Sequence, residues 1–351
     1  YSSAASDVYK RQEQVRKRTR NHNLSIKGIF KLGNRHKLSV GTEYIVDVLK
    51  SQTDNIAKED AYTLALFAQD EIKLLRNLQA LIGVRYIYHE NFKNHATPNV
   101  ALMYKPGKFN FRASYAAGFR TPTLSELYAT DIAKKNDRLT IGNLDLKSEK
   151  NNYFSLSAEY VHERFSVSVN AFYNNIRDMI DYNTIATGDK AMEQYGHKEV
   201  RQRDNIAEAK VHGINVSANA YLGAGFNLSG GYTHLNTQDV ELEQPIDKSI
   251  KNAYNINAQW AHSWKIYRLN INLNGRINSK RFSKSYGYAP EYQLWNLNTR
   301  HSFNLKSVII EPGCGMENLF DYMDDRPYNS NYATLTPGRS FYISLSLKFK
   351  S

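Results

Sequence analysis

From Leu24 onward the chain repeats one pattern: apolar residues at every second position, then a turn, then the same again. Leu24, Ile26, Gly28, Phe30 and Leu32 share one face, and after a turn at 33–36 Leu38, Val40, Thr42, Tyr44, Val46 and Val48 share the next. Tyr62, Leu64, Leu66 and Ala68 follow, then Leu78, Ala80, Ile82, Val84, Tyr86 and Tyr88. A two-residue period places each set on one side of a β-strand. Continued to the C-terminus, it predicts about fifteen strands of roughly ten residues, the length that crosses a bilayer when tilted. No segment carries a convincing 3.6-residue apolar period, so the chain reads as all-β.

The connections constrain the architecture further. Tight turns fall at 33–36, 75–77, 106–108, 162–164, 223–225, 264–267 and 304–307. Between them lie polar connections expected to be long, at about 49–60, 90–97, 120–150, 177–205, 235–251, 282–290 and 320–338. A soluble sandwich has no reason to put every long loop at one end. A transmembrane antiparallel up-and-down β-barrel does, with short turns in the periplasm and long loops outside. The last strand agrees: Phe341, Ile343, Leu345, Leu347 and Phe349 alternate with Tyr342, Ser344, Ser346, Lys348 and Lys350. At the edge of a soluble sheet it would invite aggregation. The aromatics at strand ends, Tyr86, Tyr88, Tyr173, Trp260, Trp264 and Trp295, suit interfacial girdles, with a soluble core as the alternative.

Composition permits this reading. Hydrophobic residues make up 41% and no run of 18 apolar residues occurs, which excludes a helical membrane protein but not a barrel. The formal charge of +12 favours anionic partners without choosing among nucleic acid, lipopolysaccharide and an anionic ligand. The single cysteine, Cys314, excludes an intramolecular disulfide framework, and neither a CxxC nor an HExxH motif occurs, so no metal site or cofactor is expected. The first 12 residues look like translated sequencing adapter, so 1–21 is expected to be a non-native or disordered segment and 22–351 the barrel. Arg16, Lys17, Arg18 and Arg20 lack aromatic interleaving and read as a solvated strand end, not a nucleic-acid surface.

One stretch breaks the alternation. GFRTPTLSELY, residues 118–128, brings an Arg, a Pro and a Glu into seven residues at the end of a strand. Pro122 has no N–H to give the sheet and pushes Thr121 into an extended conformation. Arg120 and Glu126 are then placed to bond loop backbone or each other, tying the loop's root to the wall.

This stretch resembles the Phe-Arg-Ala-Pro box of TonB-dependent outer-membrane receptors. ALFAQDEIKLLRNLQALIGVRY (65–86) resembles the family's strand-turn-strand, and TPNVALMYKPGKFNFRASYAAGFR the strand pair before the box. GNLDLKSEKNNYFSLSAEY is similar to the Asn-Pro-x-Leu-x-Pro-Glu stretch after it, MENLFDY (316–322) to the near-terminal motif, and PGRSFYISLSLKF to the closing strand. The resemblance implies the C-terminal portion of an outer-membrane barrel in a Gram-negative bacterium, about 15 of the family's roughly 22 strands. The plug domain and TonB box would lie outside the sequence given. It also implies that Phe119, Arg120, Pro122 and Glu126 form a chiefly structural loop root, with a role in ligand uptake as the alternative, and that Glu317, Asn318, Leu319, Phe320 and Phe349 form the C-terminal motif. Thr121 departs from the usual Ala. Asn143-Leu144 replaces the Asn-Pro of haem-receptor relatives, and no His lies between Arg120 and Asn143, which disfavours haem.

The function implied is non-enzymatic: capture of a scarce nutrient, a ferric siderophore or cobalamin-type ligand, followed by TonB-driven import. The partners implied are outer-membrane lipid and lipopolysaccharide, the TonB complex through the plug, and the small-molecule ligand. Tyr182, Tyr195, Arg201, Arg203, Tyr286 and Tyr288 are the candidate ligand contacts, because aromatics give area at low entropic cost and Arg binds oxyanions bidentately. Packing of loops or contact with lipopolysaccharide is the alternative for each. A passive porin or adhesin is the competing class. A barrel enzyme would need a nucleophile beside His197, His212 or His234, and no GxSxG motif accompanies them.

Overall fold

The computed structural model describes residues 17–52, 54, 56–133, 136–283, 287–324 and 337–350. Fifteen strands have ten residues or more: β1 (Lys17–Leu32), β2 (His36–Ser51), β3 (Ile56–Leu75), β4 (Leu78–His89), β5 (Lys93–Tyr104), β6 (Phe109–Arg120), β9 (Glu149–Val161), β10 (Phe165–Thr187), β11 (Glu199–Gly223), β12 (Phe226–Asp239), β13 (Asn252–Trp264), β14 (Tyr267–Asn278), β17 (Tyr292–Asn304), β18 (Val308–Glu317) and β19 (Ser340–Phe349). Four short strands lie in connections: β7 (Asp131–Ala133), β8 (Arg138–Ile141), β15 (Arg281–Ser283) and β16 (Gly287–Ala289). Two helices, α1 (Leu124–Tyr128) and α2 (Gly188–Tyr195), do the same. Residues 1–16 lie outside the described residues. The first strand begins at Lys17, so 17–21 belong to β1 rather than to an N-terminal segment, and this basic stretch is exposed.

The chain divides into two compact units. One contains the described residues to Leu102 with Tyr115–Tyr153 and Asn175–Glu208; the other contains Met103–Ser114, Phe154–Asn174 and the chain from Ala209. In the first, β1 to β4 form an antiparallel meander, from Leu32↔His36 through Leu75↔Leu78, with bulges between Leu49 and Ser51 and between Lys73 and Leu75. In the second, β11, β12, β13, β14, β17, β18 and β19 pair antiparallel in sequence order. The pairing of Glu199–Gln202 of β11 with Arg138–Ile141 of β8 is parallel.

Exposure along the strands is inverted relative to a soluble protein. In β10, Phe165, Val167 and Val169 are exposed, while Ser166, Ser168 and Asn170 are half-buried. On β19, Ile343 is 89% exposed and Phe349 81%. The polar faces satisfy themselves across strands: Ser168 Oγ meets Ser217 Oγ at 2.8 Å, and Asn257 Nδ2 donates to Asn272 Oδ1 at 2.8 Å. Glu43 is held by Arg85 and by Asn23. Water would not tolerate such a contiguous apolar face; lipid requires it. The buried apolar residues instead sit beneath the loops, in clusters such as Leu49, Ala61, Leu124 and Ala129.

Aromatic contacts gather at both strand ends. Near the tight turns of the second unit, Phe226 and Trp260 lie 5.9 Å apart, Trp264 and Tyr267 5.5 Å, and Tyr267 and Phe303 5.1 Å. At the opposite strand ends of the first unit, Tyr62 lies 6.1 Å from Tyr44 and 6.0 Å from Tyr88. Within each unit, aromatic rings gathered at strand ends suit an interfacial position.

Every tight turn falls where the alternation puts it. Two connections expected to be long do not: β2 runs to Ser51 and β3 resumes at Ile56, and β4 and β5 are joined by residues 90–92 alone. Lys93 at φ 61° and the Asn91 N–H donated to His89 Nδ1 at 3.1 Å close that turn tightly. Strand continues here past the regularly alternating segment, and Leu49, Ser51 and His89 are buried within it. In the full-length protein, tags within 177–205 or 235–251 should be reached by membrane-impermeant reagents on intact cells. Tags at 106–108 or 223–225 should not, and labelling at either turn would reverse the orientation.

Candidate functional site

The corner at 118–128 folds as α1. Pro122 ends β6, and Thr123 caps the helix in an extended conformation (φ −73°, ψ 156°). Its hydroxyl accepts from Glu126 N at 3.2 Å, while Glu126 Oε2 accepts from Thr123 N at 2.8 Å. This reciprocal box satisfies two donors that a helix start leaves free. The guanidinium of Arg120 then reaches two carboxylates. Nη1 donates to Glu126 Oε2 at 2.8 Å, and Nε and Nη2 donate to Glu149 Oε2 and Oε1 at 2.8 and 2.6 Å. Glu149 Oε1 also accepts from Ile180 N at 2.7 Å, so one Arg binds the end of β6, α1, the start of β9 and β10. Phe119 stacks on His95 with centroids 4.3 Å apart.

The helix is fastened on its other side as well. Asp54 accepts from Thr130 N at 2.9 Å, from the Thr130 hydroxyl, and from Ser51 Oγ at 2.7 Å. Within the helix, Leu127 is buried with Leu146 and Ile180. Burial alone would raise the Glu126 carboxyl, but hydrogen bonds from Arg120 and Thr123 outweigh it and hold the pKa below the ordinary glutamate value. A depressed carboxylate stabilises the fold above its unfolded value and loses that contribution as pH falls through the folded one. Limited proteolysis of loop 120–150 should therefore accelerate as pH drops below about 4. A rate flat across that window would rule out this linkage.

A second root lies at the C-terminal motif. Asn318 is buried, with φ 51°, and its Nδ2 donates to Tyr322 O at 2.8 Å and to Pro337 O at 3.1 Å. Its Oδ1 accepts from Tyr322 N at 2.9 Å. Leu319 N donates to Trp295 O, Phe320 meets Trp295 edge-on, and Ser340 Oγ reaches Glu317 Oε2 at 3.5 Å. Phe349 pairs in register with Val308. The motif thus clamps both ends of the connection between β18 and β19.

The candidate ligand residues divide. Arg203 and Tyr182 come together: Nη2 donates to the phenol at 2.6 Å, and the guanidinium lies 3.8 Å from the ring centroid. Arg201 Nε is paired with Glu199 Oε1 at 2.6 Å. Tyr195 packs on the cluster of Ala186, Ala191 and Val200, which gives it a place in the loop's own core. Tyr288 lies in the other unit, 57% exposed and edge-on to Phe282. Tyr286 lies outside the described residues. His197 pairs with Asp137 at 2.9 Å, whose carboxyl that hydrogen bond lowers; His212 meets Asn236 and His234 meets Asn252.

Sequence reasoning assigns no role to Glu149, Thr123 or Asp54. The Thr-x-x-Glu spacing of the capping box was the available signal for Thr123. Glu149 and Asp54 reach α1 only through contacts distant in the chain.

Comparison with known proteins identifies the family of the fold. Residues 1–319 match the family model described as TonB dependent receptor-like, beta-barrel. The ferric enterobactin receptor of Pseudomonas aeruginosa is 23% identical over 372 aligned positions, covering 91% of this chain and 49% of that protein. A crystal structure of a variant of a ferric enterobactin receptor from that organism has a TM-score of 0.78 at 19% identity, covering 95% of this chain and 54% of that one. The siderophore receptor PirA from Pseudomonas aeruginosa gives 0.75 at 18%, covering 96% and 58%. The chain spans about half the length of the relatives it matches. It belongs to the TonB-dependent receptor-like β-barrel family of the Gram-negative outer membrane.

Proposed function

We propose that the chain forms the barrel wall and loops of a receptor that captures an anionic ferric siderophore and imports it by TonB-driven action on a plug. The observation that carries this reading is the Arg203–Tyr182 pair at the long-loop end. A guanidinium stacked on a phenol leaves donors for oxyanions while the ring offers flat contact area. The net charge of +12 supports attraction of an anionic chelate from solution.

Arg201→Gln with Arg203→Gln in the full-length receptor should weaken binding of a ferric siderophore by roughly tenfold or more. The loss should be larger at low salt, because added ions screen the same attraction in the wild type. Salt-independent binding dominated by the tyrosines would point to an uncharged, cobalamin-type ligand. Deleting the gene should slow growth on at least one ferric siderophore under iron limitation. Unchanged growth on every iron source would sink the siderophore reading, and a freely permeable channel in the absence of TonB would favour a passive porin.

A further inference from the structure

Beside the loop root lies a cavity of about 580 Å³, walled by the turn between β4 and β5, the end of α1 and the start of β9. Its apolar side is formed by Phe92, Leu127 and Tyr128, and its polar side by Lys147, Ser148 and Lys150. Ser148 is 6% exposed, and among the described residues its Oγ has no hydrogen-bond partner. A buried hydroxyl without a partner carries a desolvation cost that a bound group can relieve. Lys93 adds a third ammonium group, against one carboxylate, Asp178.

Side-chain bonds to the backbone hold the frame of the cavity. Asn205 Oδ1 accepts from Lys147 N at 2.7 Å, and its Nδ2 donates to Lys147 O at 3.0 Å and to Asp178 O at 2.6 Å. His95 Nε2 meets Phe92 O at 3.0 Å. We infer that this cavity is a binding site for an oxyanion carried on an apolar or aromatic body, held by the amines of Lys147 and Lys150 and the hydroxyl of Ser148. It is separate from the Arg203–Tyr182 pair. By the strand's two-residue period Lys150 stands on the face of β9 that also carries Phe154 and Leu156. The anion can therefore come from a lipid headgroup or from a soluble molecule.

Phenyl phosphate supplies both features and serves as the probe. Titrated into the full-length receptor by calorimetry, it should bind more tightly than inorganic phosphate. Lys147→Gln with Lys150→Gln should weaken it by roughly tenfold or more, and Ser148→Ala by about threefold. Siderophore binding should be retained in both variants, which reports that they fold. Receptor in nanodiscs containing anionic phospholipid should lose phenyl phosphate binding if the headgroup is the source. Retention there, matching nanodiscs of zwitterionic lipid, assigns the site to a soluble anion. Phenyl phosphate binding that is absent in detergent, or unchanged in the double-lysine variant, overturns the inference.

Discussion

Arg120→Ala in the full-length receptor is expected to lower stability by about 2–3 kcal/mol and to open loop 120–150 to protease. The reason is the geometry around it. Glu126 and Glu149 keep only 14% and 15% side-chain exposure, and both rely on Arg120 for compensation. Removing the cation leaves two carboxylates facing one another in a poorly hydrated corner. The guanidinium is itself 42% exposed, which keeps the figure below that of a fully buried pair. Arg120→Lys keeps the charge but not the fork, and should recover less than half of the loss. Thermal unfolding and limited proteolysis in detergent measure both. If Arg120→Ala unfolds and is nicked like the wild type, the root is held by other contacts.

Val167→Arg, or Leu345→Arg, should cost about 2–4 kcal/mol when folding is measured in lipid, if the position lies near the bilayer midplane. Val167 is 38% exposed and Leu345 66%, on the faces that the apolar residues share. The neighbour Ser168 points the other way and loses one hydroxyl contact, to Ser217, on substitution. Ser168→Arg should therefore cost about 1 kcal/mol. Equal losses at 167 and 168 would mean that the alternation does not report a lipid boundary.

The contrast explains which parts of the fold the sequence reveals. A strand between lipid and polar interior must alternate at every step, so Phe165 to Val169 or Phe341 to Phe349 cannot be misread. Above the lipid the constraint lapses. At the start of β11 Arg201, Gln202, Arg203 and Asp204 make both faces polar, and the ends of β2 and β10 bury Leu49 and Ile180 beneath loops, so there strand looks like loop; the joint at 90–92 is the clearest case. The corner at Arg120 announces a loop root, and its pairing with Glu126 is local enough to read. Its second carboxylate, 29 residues away, and the brace from Asp54 depend on how β2, β6 and β9 are brought together. The candidate ligand residues were chosen by type, and type does not separate Tyr195, which packs inward, from Tyr182, which meets Arg203.

The parallel ladder between β8 and β11 has a consequence for affinity. Arg201 and Gln202 sit within it, backbone to backbone with Thr140 and Ile141, and Arg203 follows directly. Asn143 adds a bond to Arg203 O at 3.0 Å. Most long loops must freeze when they close on a ligand, which costs about 1–2 kcal/mol for each backbone residue fixed. Here two loops have frozen one another during folding. A ligand that meets Arg203 encounters a side chain on a backbone already in place, and more of each contact it makes remains as binding free energy.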